Sequence, residues 1–235
     1  MKIKDILFEW DKKFPAVCGH TSILFLKSRD EFPSAKRGDS AAAARVVAQC
    51  VKPQRLTALR RHYPKAELLP VVTDNQLPIA LAQSVGLKVC RNIHKSGGCQ
   101  RKKMNAMERL LFRPVFTGAV KRKTSYIIVD DIVTQGGTVS ALRKHIVKGG
   151  GRVVAVIALA YAPGSERLSP TAENIRLLEN KFGQKAICAV LQKYCSLANL
   201  RELTNQQIRY LLRFNDIFGI VKKIKNTLLQ INRSD

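Results

Sequence analysis

The sequence predicts an α/β fold in which a mostly parallel sheet is flanked by helices, with a C-terminal helical extension. Continuous apolar runs, typical of strands buried on both faces, lie at 126–129 (YIIV) and 153–159 (VVAVIAL). Helix-like segments alternate with these and with earlier strand-like runs, which indicates parallel strands joined by crossover helices. After Pro170 the apolar spacing is helical throughout, and this predicts the extension.

The N-terminal half offers six elements in order. A strand is predicted at 22–26 (SILFL), and an Ala-rich helix at 40–51 has Ser40 as its expected N-cap. The remaining expected elements are a helix at 53–62 opened by Pro53, a strand at 68–73, a helix at 78–85 ended by Gly86, and a short strand at 87–91.

The C-terminal half continues the alternation and then becomes helical. A helix-like patch lies at 104–111, and a helix at 138–147 follows the 126–129 strand and ends at three glycines. Residues 186–191 (AICAVL) fit either a helix or a last strand, and we favour a helix. Thr204 is the expected cap of one of the last helices, and the apolar stripe of the final helix begins after Asp216.

Composition excludes several classes of protein. With 235 residues, 46% hydrophobic and 25% charged, the chain is globular rather than disordered. Its longest apolar run, at 153–162, is only about ten residues and is too short to span a bilayer. Residues 1–11 contain no secretory apolar segment. We therefore expect a cytoplasmic protein that is neither membrane-spanning nor secreted.

The six cysteines give no sign of a disulfide framework or a zinc site. None forms a C-x-x-C pair or stands at zinc spacing from a histidine. We expect reduced thiols, several of them in the core.

The charge balance is strongly basic. The chain carries 41 Lys+Arg against 17 Asp+Glu, a formal charge of +24, which predicts attraction to polyanions. The stretch 88–123 has eleven basic residues and one acid, Glu108. Such a stretch can be a solvated surface, a nucleic-acid patch or a lid over an anionic substrate, and composition does not choose among them.

The segment most informative about function is 126–138, YIIVDDIVTQGGT. Asp130 and Asp131 follow a buried strand, at the sheet edge where ligands of open parallel sheets bind. Two adjacent carboxylates repel each other unless vicinal hydroxyls or a metal ion satisfy them. The turn from Thr134 to Thr138 opens a helix, whose N–H groups and dipole favour a phosphate.

Together these parts suit a ribose 5-phosphate, which carries a diol and a phosphate. Neither the P-loop nor the dinucleotide fingerprint is present. The alternative is that the acids form a capping turn and the glycines a plain tight turn. The full thirteen-residue pattern between a strand and a helix is more specific than either half.

The segment resembles the phosphoribosyl-pyrophosphate (PRPP) binding motif of type I phosphoribosyltransferases; only Gln135 departs, at a tolerant position. The resemblance implies that Asp130 and Asp131 bind the ribose hydroxyls and are the catalytic pair. It also implies a pyrophosphate loop, matched here by position only, and a Mg2+ ion held through PRPP, with the acid pair as possible ligands. The implied 5-phosphate residues are Thr134, Gln135, Gly136, Gly137 and Thr138, and the implied pyrophosphate residues are Thr73, Asp74 and Asn75.

The resemblance also implies a domain organisation. Residues 1–65 would form a hood over the acceptor, 66–165 the PRPP-binding core, and 166–235 the helical extension. A flexible arm that closes over the substrate would occupy the basic stretch 92–123. The candidate arm cations are Arg91, Lys95, Arg101 and Lys102.

The expected function is a Mg2+-dependent transferase of nucleotide metabolism. It would move the 5-phosphoribosyl group from PRPP to a nitrogen nucleophile, for which we expect a nucleobase, with release of pyrophosphate. No set of residues selects the acceptor. The alternative is a PRPP-responsive regulator that binds nucleic acid without catalysis; a pyrophosphokinase-like enzyme ranks last because that family is longer. The family also implies a homodimer.

Overall fold

A computed structural model describes residues 9–96 and 104–231 of the chain. Its strands are β1 Cys18–Thr21, β2 Glu67–Pro70, β3 His94–Ser96, β4 Val115–Thr117, β5 Ser125–Val133 and β6 Arg152–Tyr161. Its α-helices are α1 Ile23–Lys27, α2 Phe32–Lys36, α3 Ser40–Cys50, α4 Pro53–His62, α5 Leu77–Val85, α6 Ala106–Leu111, α7 Gly137–Lys148, α8 Ala172–Phe182, α9 Gln184–Cys195, α10 Asn205–Leu211 and α11 Ile217–Ile231.

The predicted fold class is confirmed. Four strands form a parallel sheet in the order β1-β6-β5-β2. Alternate residues of β5 bury on opposite faces: Ile127 and Val129 belong to the core with α3 and α5, whereas Ile128 packs with Leu142 of α7. Because helices cover both faces, the central strands are apolar on both sides, as the YIIV and VVAVIAL runs indicated.

The strand predicted at 22–26 is wrong. The strand comes earlier, as β1, and residues 23–27 form α1. The Ser22 hydroxyl accepts a hydrogen bond from the Phe25 N–H at 3.1 Å and caps this helix. Only Leu26 of this helix is buried, while Leu24 is 83% exposed. The apolar run therefore has neither the continuous burial of a central strand nor the alternating burial of a strand with one solvent face.

Two other local predictions need correction. Asp39 caps α3, accepting from the Ala42 N–H at 2.9 Å, and Ser40 is the first helical residue. The strand predicted at 87–91 is reduced to a single bridge between Leu68 and Val89. Leu68 donates to the Lys88 carbonyl, but Pro70, the next residue facing that side, has no N–H to continue the ladder.

The basic stretch between β2 and β5 is partly built as a hairpin. Strands β3 and β4 pair antiparallel, and α6 lies between them. Asn105 and Glu108 form a capping box at the start of α6. The helix predicted at 104–111 is thus confirmed, with its start two residues later.

The C-terminal extension is helical, as predicted. Helices α8 to α11 share one apolar cluster, which also includes Met107 and Leu110 of α6. The ambiguous segment 186–191 lies inside α9. Thr204 caps α10 through a capping box with Gln207, and Asp216 accepts from the Gly219 N–H at 2.7 Å at the start of α11. None of the helices in the described part is both long and apolar enough to cross a membrane.

Candidate functional site

A cavity of about 520 Å3 opens at the carboxyl ends of β2 and β5. The sequence-predicted residues that line it are Thr73, Asp74, Asn75, Lys95, Asp130, Asp131, Thr134, Gln135, Gly136, Gly137 and Thr138. Arg91 is exposed and does not line the cavity. Arg101 and Lys102 lie outside the described residues.

The acid pair is almost fully buried in the floor of the cavity. Asp130 is 9% exposed and Asp131 6%. Burial raises the pKa of the Asp130 carboxyl well above its usual value, and the neighbouring Asp131 carboxylate adds to the rise. The Asp131 N–H donates to Asp130 Oδ1 at 2.9 Å. A ligand that brings hydroxyl groups or a cation to this pair would stabilise its ionised form.

Lys36 is a site residue that the sequence analysis missed. Its Nζ lies 2.6 Å from Asp131 Oδ2. Lys36 ends α2, and the Ala35 carbonyl beside it accepts from the Gln76 N–H at 3.1 Å, which fixes α2 against the turn after β2. Nothing local distinguishes Lys36 among the 41 basic residues of the chain, because its partner is 95 positions away.

The turn between β5 and α7 directs backbone N–H groups into the cavity. The Ser165 hydroxyl donates to the Thr134 carbonyl, and the Thr204 hydroxyl donates to the Gln135 carbonyl. Both hydroxyls belong to residues at most 1% exposed, so the two carbonyls face the protein interior. In a trans peptide the N–H points opposite to the C=O, so the Gln135 and Gly136 N–H groups face the cavity.

Helix α7 adds further donors to the same turn. The first N–H groups of a helix lack intrahelical partners, and the N-cap residue of α7, Gly136, has no side chain that could accept from them. Its positive N-terminal dipole lies at the cavity. The arrangement is therefore suited to a phosphate group.

Position 136 requires glycine for two reasons: its backbone conformation and the lack of space for a Cβ atom. Its φ is +70°, in the left-handed region. A Cβ at this position would lie 2.5 Å from Leu168 Cδ2 and 3.1 Å from Thr204 Cγ2. Leu168 is 2% exposed and Thr204 is fully buried, so neither can move aside easily.

Arg109 is the second residue that the sequence analysis missed. Its Nη1 donates to Thr134 Oγ1 at 2.9 Å, and its Nε donates to the Met104 carbonyl at 3.0 Å. It lies on α6, where Met107 and Leu110 pack into the C-terminal cluster. The helical spacing of those two apolar residues was a usable signal, because it places Arg109 on another face.

The turn after β2 is closed by its own side chains. Thr73 Oγ1 accepts from the Asn75 N–H, and Asn75 Oδ1 accepts from the Leu77 N–H, each at 3.2 Å. Asp74 is exposed beside the cavity. Its carboxylate opposes a bound anion unless a cation lies between them.

The cavity lining combines cations with carboxylates. Lys27, Lys36, Lys95 and Arg109 line it together with Asp74 and the acid pair. The described residues contain no group of three or more His, Cys, Asp or Glu that could hold a metal. Mg2+ commonly takes one or two protein carboxylates and completes its shell with phosphate oxygens and water. The donor set therefore fits a magnesium ion that arrives with a phosphorylated ligand, held by Asp130 or Asp131.

Comparison by sequence finds relatives but no family model. No family model matches the chain. Protein TraN of Escherichia coli is 29% identical over 181 residues, which is 72% of this chain and 40% of TraN. An uncharacterized protein of Haemophilus influenzae is 28% identical over 151 residues, 60% of this chain and 34% of that protein. The chain thus spans about two fifths or less of each of these relatives.

Comparison by structure finds phosphoribosyltransferases. A purine phosphoribosyltransferase from Pyrococcus horikoshii is 19% identical with a TM-score of 0.34, over 47% of this chain and 70% of that one. A hypoxanthine phosphoribosyltransferase from Staphylococcus aureus is 11% identical with a TM-score of 0.36, over 48% and 62%. An adenine phosphoribosyltransferase from Saccharomyces cerevisiae is 18% identical with a TM-score of 0.33, over 47% and 69%.

Proposed function

We propose that the chain binds PRPP and transfers its 5-phosphoribosyl group to a nitrogen nucleophile, releasing pyrophosphate. One observation supports this most: the buried acid pair and the turn at 134–138 line the same cavity. The pair is suited to the ribose diol, and the turn to the 5-phosphate. These are the two groups that a ribose 5-phosphate moiety presents together.

The proposed chemistry breaks the C1–oxygen bond to pyrophosphate and forms a C1–nitrogen bond. Positive charge develops on the sugar and negative charge on the leaving group, which takes the bonding electrons. Asp130 and Asp131 orient the sugar through its hydroxyls, and the turn after β5 holds the 5-phosphate. Lys36, Lys95 and Arg109 supply fixed positive charge to the same cavity. Magnesium bound with PRPP would neutralise charge on the departing pyrophosphate.

Lys36 has a role of its own in this proposal. In the structure it neutralises Asp131 at 2.6 Å. If Asp131 held a ribose hydroxyl or a magnesium ion bound with PRPP, its contact with Lys36 would be replaced, and the Lys36 ammonium group would be available to the bound anion. The hood contributed by residues 1–65, the pyrophosphate role of the turn at 73–75 and the closing arm at 92–123 belong to the same proposal. So do a homodimer and a cytoplasmic location.

The test is pyrophosphate release in the presence of PRPP, Mg2+ and a panel of purine and pyrimidine bases. We expect release with at least one base, and a loss of about 100-fold or more in Asp130→Asn/Asp131→Asn. A matched control removes two negative charges away from the cavity, in Asp30→Asn/Glu173→Gln, and should keep full activity. Equal activity of the two double variants contradicts the proposed site.

The second candidate is a PRPP-responsive regulator that binds nucleic acid. The observation that favours it is the charge of +24, which exceeds what one anionic substrate requires. Saturable PRPP binding without pyrophosphate release for any base in the panel would favour this candidate over the transferase.

A further inference from the structure

A groove on the C-terminal extension lies outside the cavity described above. It has a volume of about 740 Å3 and lies between the end of α10 and the first turns of α11. Its lining combines aromatic and basic side chains, including Arg213, Phe214, Phe218, Lys222 and Lys225. None of these residues lines the site at the sheet edge.

Helix α11 presents this face outward because its opposite face is buried. Ile220, Ile224 and Thr227 are at most 1% exposed. Phe218, Lys222 and Lys225 follow at intervals of four and three, so they lie on one exposed face. Phe218 is 79% exposed. An aromatic ring with this exposure becomes buried only when a binding partner covers it.

The groove carries a net positive charge, because Arg213, Lys222 and Lys225 line it against one acid, Asp216. Residues 203–231 contain five basic residues and one acid, Asp216. The Asp216 carboxylate already accepts the Gly219 N–H at 2.7 Å. Among the described residues, no carboxylate forms an ion pair with Arg213, Lys222 or Lys225.

The aromatic side chains give the groove a second feature. The Phe214 ring packs edge-to-face against Tyr210 at 5.6 Å between centroids, which fixes it in the groove wall. The Phe218 ring lines the same groove and is largely exposed. Cations that follow a phosphate backbone, together with aromatic rings on which bases stack, are the combination that binds single-stranded nucleic acid. A purely acidic peptide would use the cations and leave Phe218 unused.

We propose that this groove binds single-stranded nucleic acid, with Lys222, Lys225 and Arg213 on the phosphates and Phe218 stacked on a base. The proposal does not depend on PRPP binding or on transfer activity. It gives a role to three of the basic residues of the extension, Arg213, Lys222 and Lys225.

The test measures binding of a fluorescein-labelled twelve-nucleotide oligothymidylate to the full chain by fluorescence anisotropy, across a series of salt concentrations. We expect Lys222→Gln/Lys225→Gln to weaken binding and to reduce the slope of log K against log salt by about 1.4. Phe218→Ala should weaken binding about fivefold or more, but should not change binding of an abasic strand of equal length. The control Lys12→Gln/Lys65→Gln removes the same charge elsewhere and should leave the slope closer to that of the wild type. Thermal unfolding shows whether each variant is folded.

Three outcomes overturn the proposal. The first is equal binding by the groove variant and its charge-matched control. The second is poly-glutamate of equal charge competing as well as the oligonucleotide, which would indicate an acidic protein partner. The third is a dimer, seen by sedimentation, that Phe218→Ala converts to monomer, because the exposed ring would then belong to a contact between two copies.

Discussion

The buried carboxyl of Asp130 lowers the stability of the folded protein when it is ionised. Its carboxyl is almost fully buried, and its pKa is raised mainly by that burial. A carboxyl with a raised pKa in the folded state makes the protein less stable as pH rises from the unfolded-state pKa to the folded-state pKa. At a pH above both pKa values, the folded protein bears the full free-energy cost of keeping this carboxyl ionised. Perturbed groups of this kind in a cavity are typical of functional sites.

We predict that Asp130→Asn stabilises the protein at pH 8 while weakening binding of PRPP. Asn keeps the oxygen that accepts the Asp131 N–H but removes the buried charge. The expected gain is about 1 kcal/mol, or about 2–4 °C in Tm for a chain of this size. Thermal unfolding at pH 8 and pH 4 measures it, and the gain should be smaller at pH 4. A variant that is less stable at pH 8 than the wild type contradicts this electrostatic account.

Gly136 allows a prediction with an internal control. Gly136 and Gly86 both lie in the left-handed region, with φ and ψ of +70° and +10° and of +75° and +20°, but the nearest atom to a Cβ at Gly86 is Arg60 Nη1 at 3.6 Å, an ordinary contact distance. Gly86→Ala should therefore cost about 1 kcal/mol for conformation alone. Gly136→Ala should cost about 1–3 kcal/mol more, because its Cβ overlaps Leu168, and should weaken phosphate binding. Chemical denaturation measures both, and equal costs would show that the close approach is unimportant.

At the scale of elements, α6 joins the basic stretch to the C-terminal extension. One face contributes Met107 and Leu110 to the C-terminal cluster, and Arg109 contacts Thr134 of the turn after β5. Thr204, the cap of α10, holds the Gln135 carbonyl of the same turn. The extension therefore supports the candidate phosphate site from two sides.

We predict that Arg109→Met weakens PRPP binding about tenfold, because a hydrogen bond to a charged group is worth about 1.5–3 kcal/mol. The fold should persist, since Met107 and Leu110 still anchor α6. Arg122→Met, in the same basic stretch but outside the cavity, is the control. Calorimetric titration with PRPP compares them. If the two variants lose affinity equally, net charge rather than the position of Arg109 governs binding.

The sequence predicted the elements whose signals are local. Strand β5, the turn after it and α7 form one continuous segment, so the residue pattern alone places the acid pair next to the phosphate turn. The apolar residues of the run at 22–26 predict a strand, but the Ser22 side chain caps a helix that begins at Ile23. Lys36 has no local signal, because its partner Asp131 lies 95 positions away. The spacing of Met107 and Leu110 places Arg109 on another face of α6, but it does not indicate the contact with Thr134, 25 positions away.

At the scale of the whole molecule, His20 on β1 makes stability sensitive to acid. It is 1% exposed, and its Nδ1 accepts from the Lys52 N–H at 3.0 Å. Burial, and then the charges of Arg55 and Lys52, lower the pKa of His20 from 6.5 to about 4. The neutral ring is therefore favoured in the folded state, and the stability this provides is lost as pH falls from 6.5 to about 4.

We predict that His20→Asn removes this part of the acid sensitivity. The Asn side-chain oxygen can accept the Lys52 N–H in place of Nδ1, and it does not ionise. Wild-type stability should fall by about 3 kcal/mol more than that of the variant between pH 7 and pH 4. Denaturant unfolding at both pH values gives the difference. Parallel losses would show that other groups control acid unfolding.

The central claim is that the acid pair and the turn after β5 jointly bind a phosphorylated sugar. Calorimetric titration with ribose 5-phosphate and with 2-deoxyribose 5-phosphate, each with Mg2+, tests it most directly, because the two ligands share the phosphate and differ in one hydroxyl. We predict one-to-one binding of ribose 5-phosphate and at least tenfold weaker binding of the deoxy sugar. No binding of either ligand, or equal affinity for both, would contradict it.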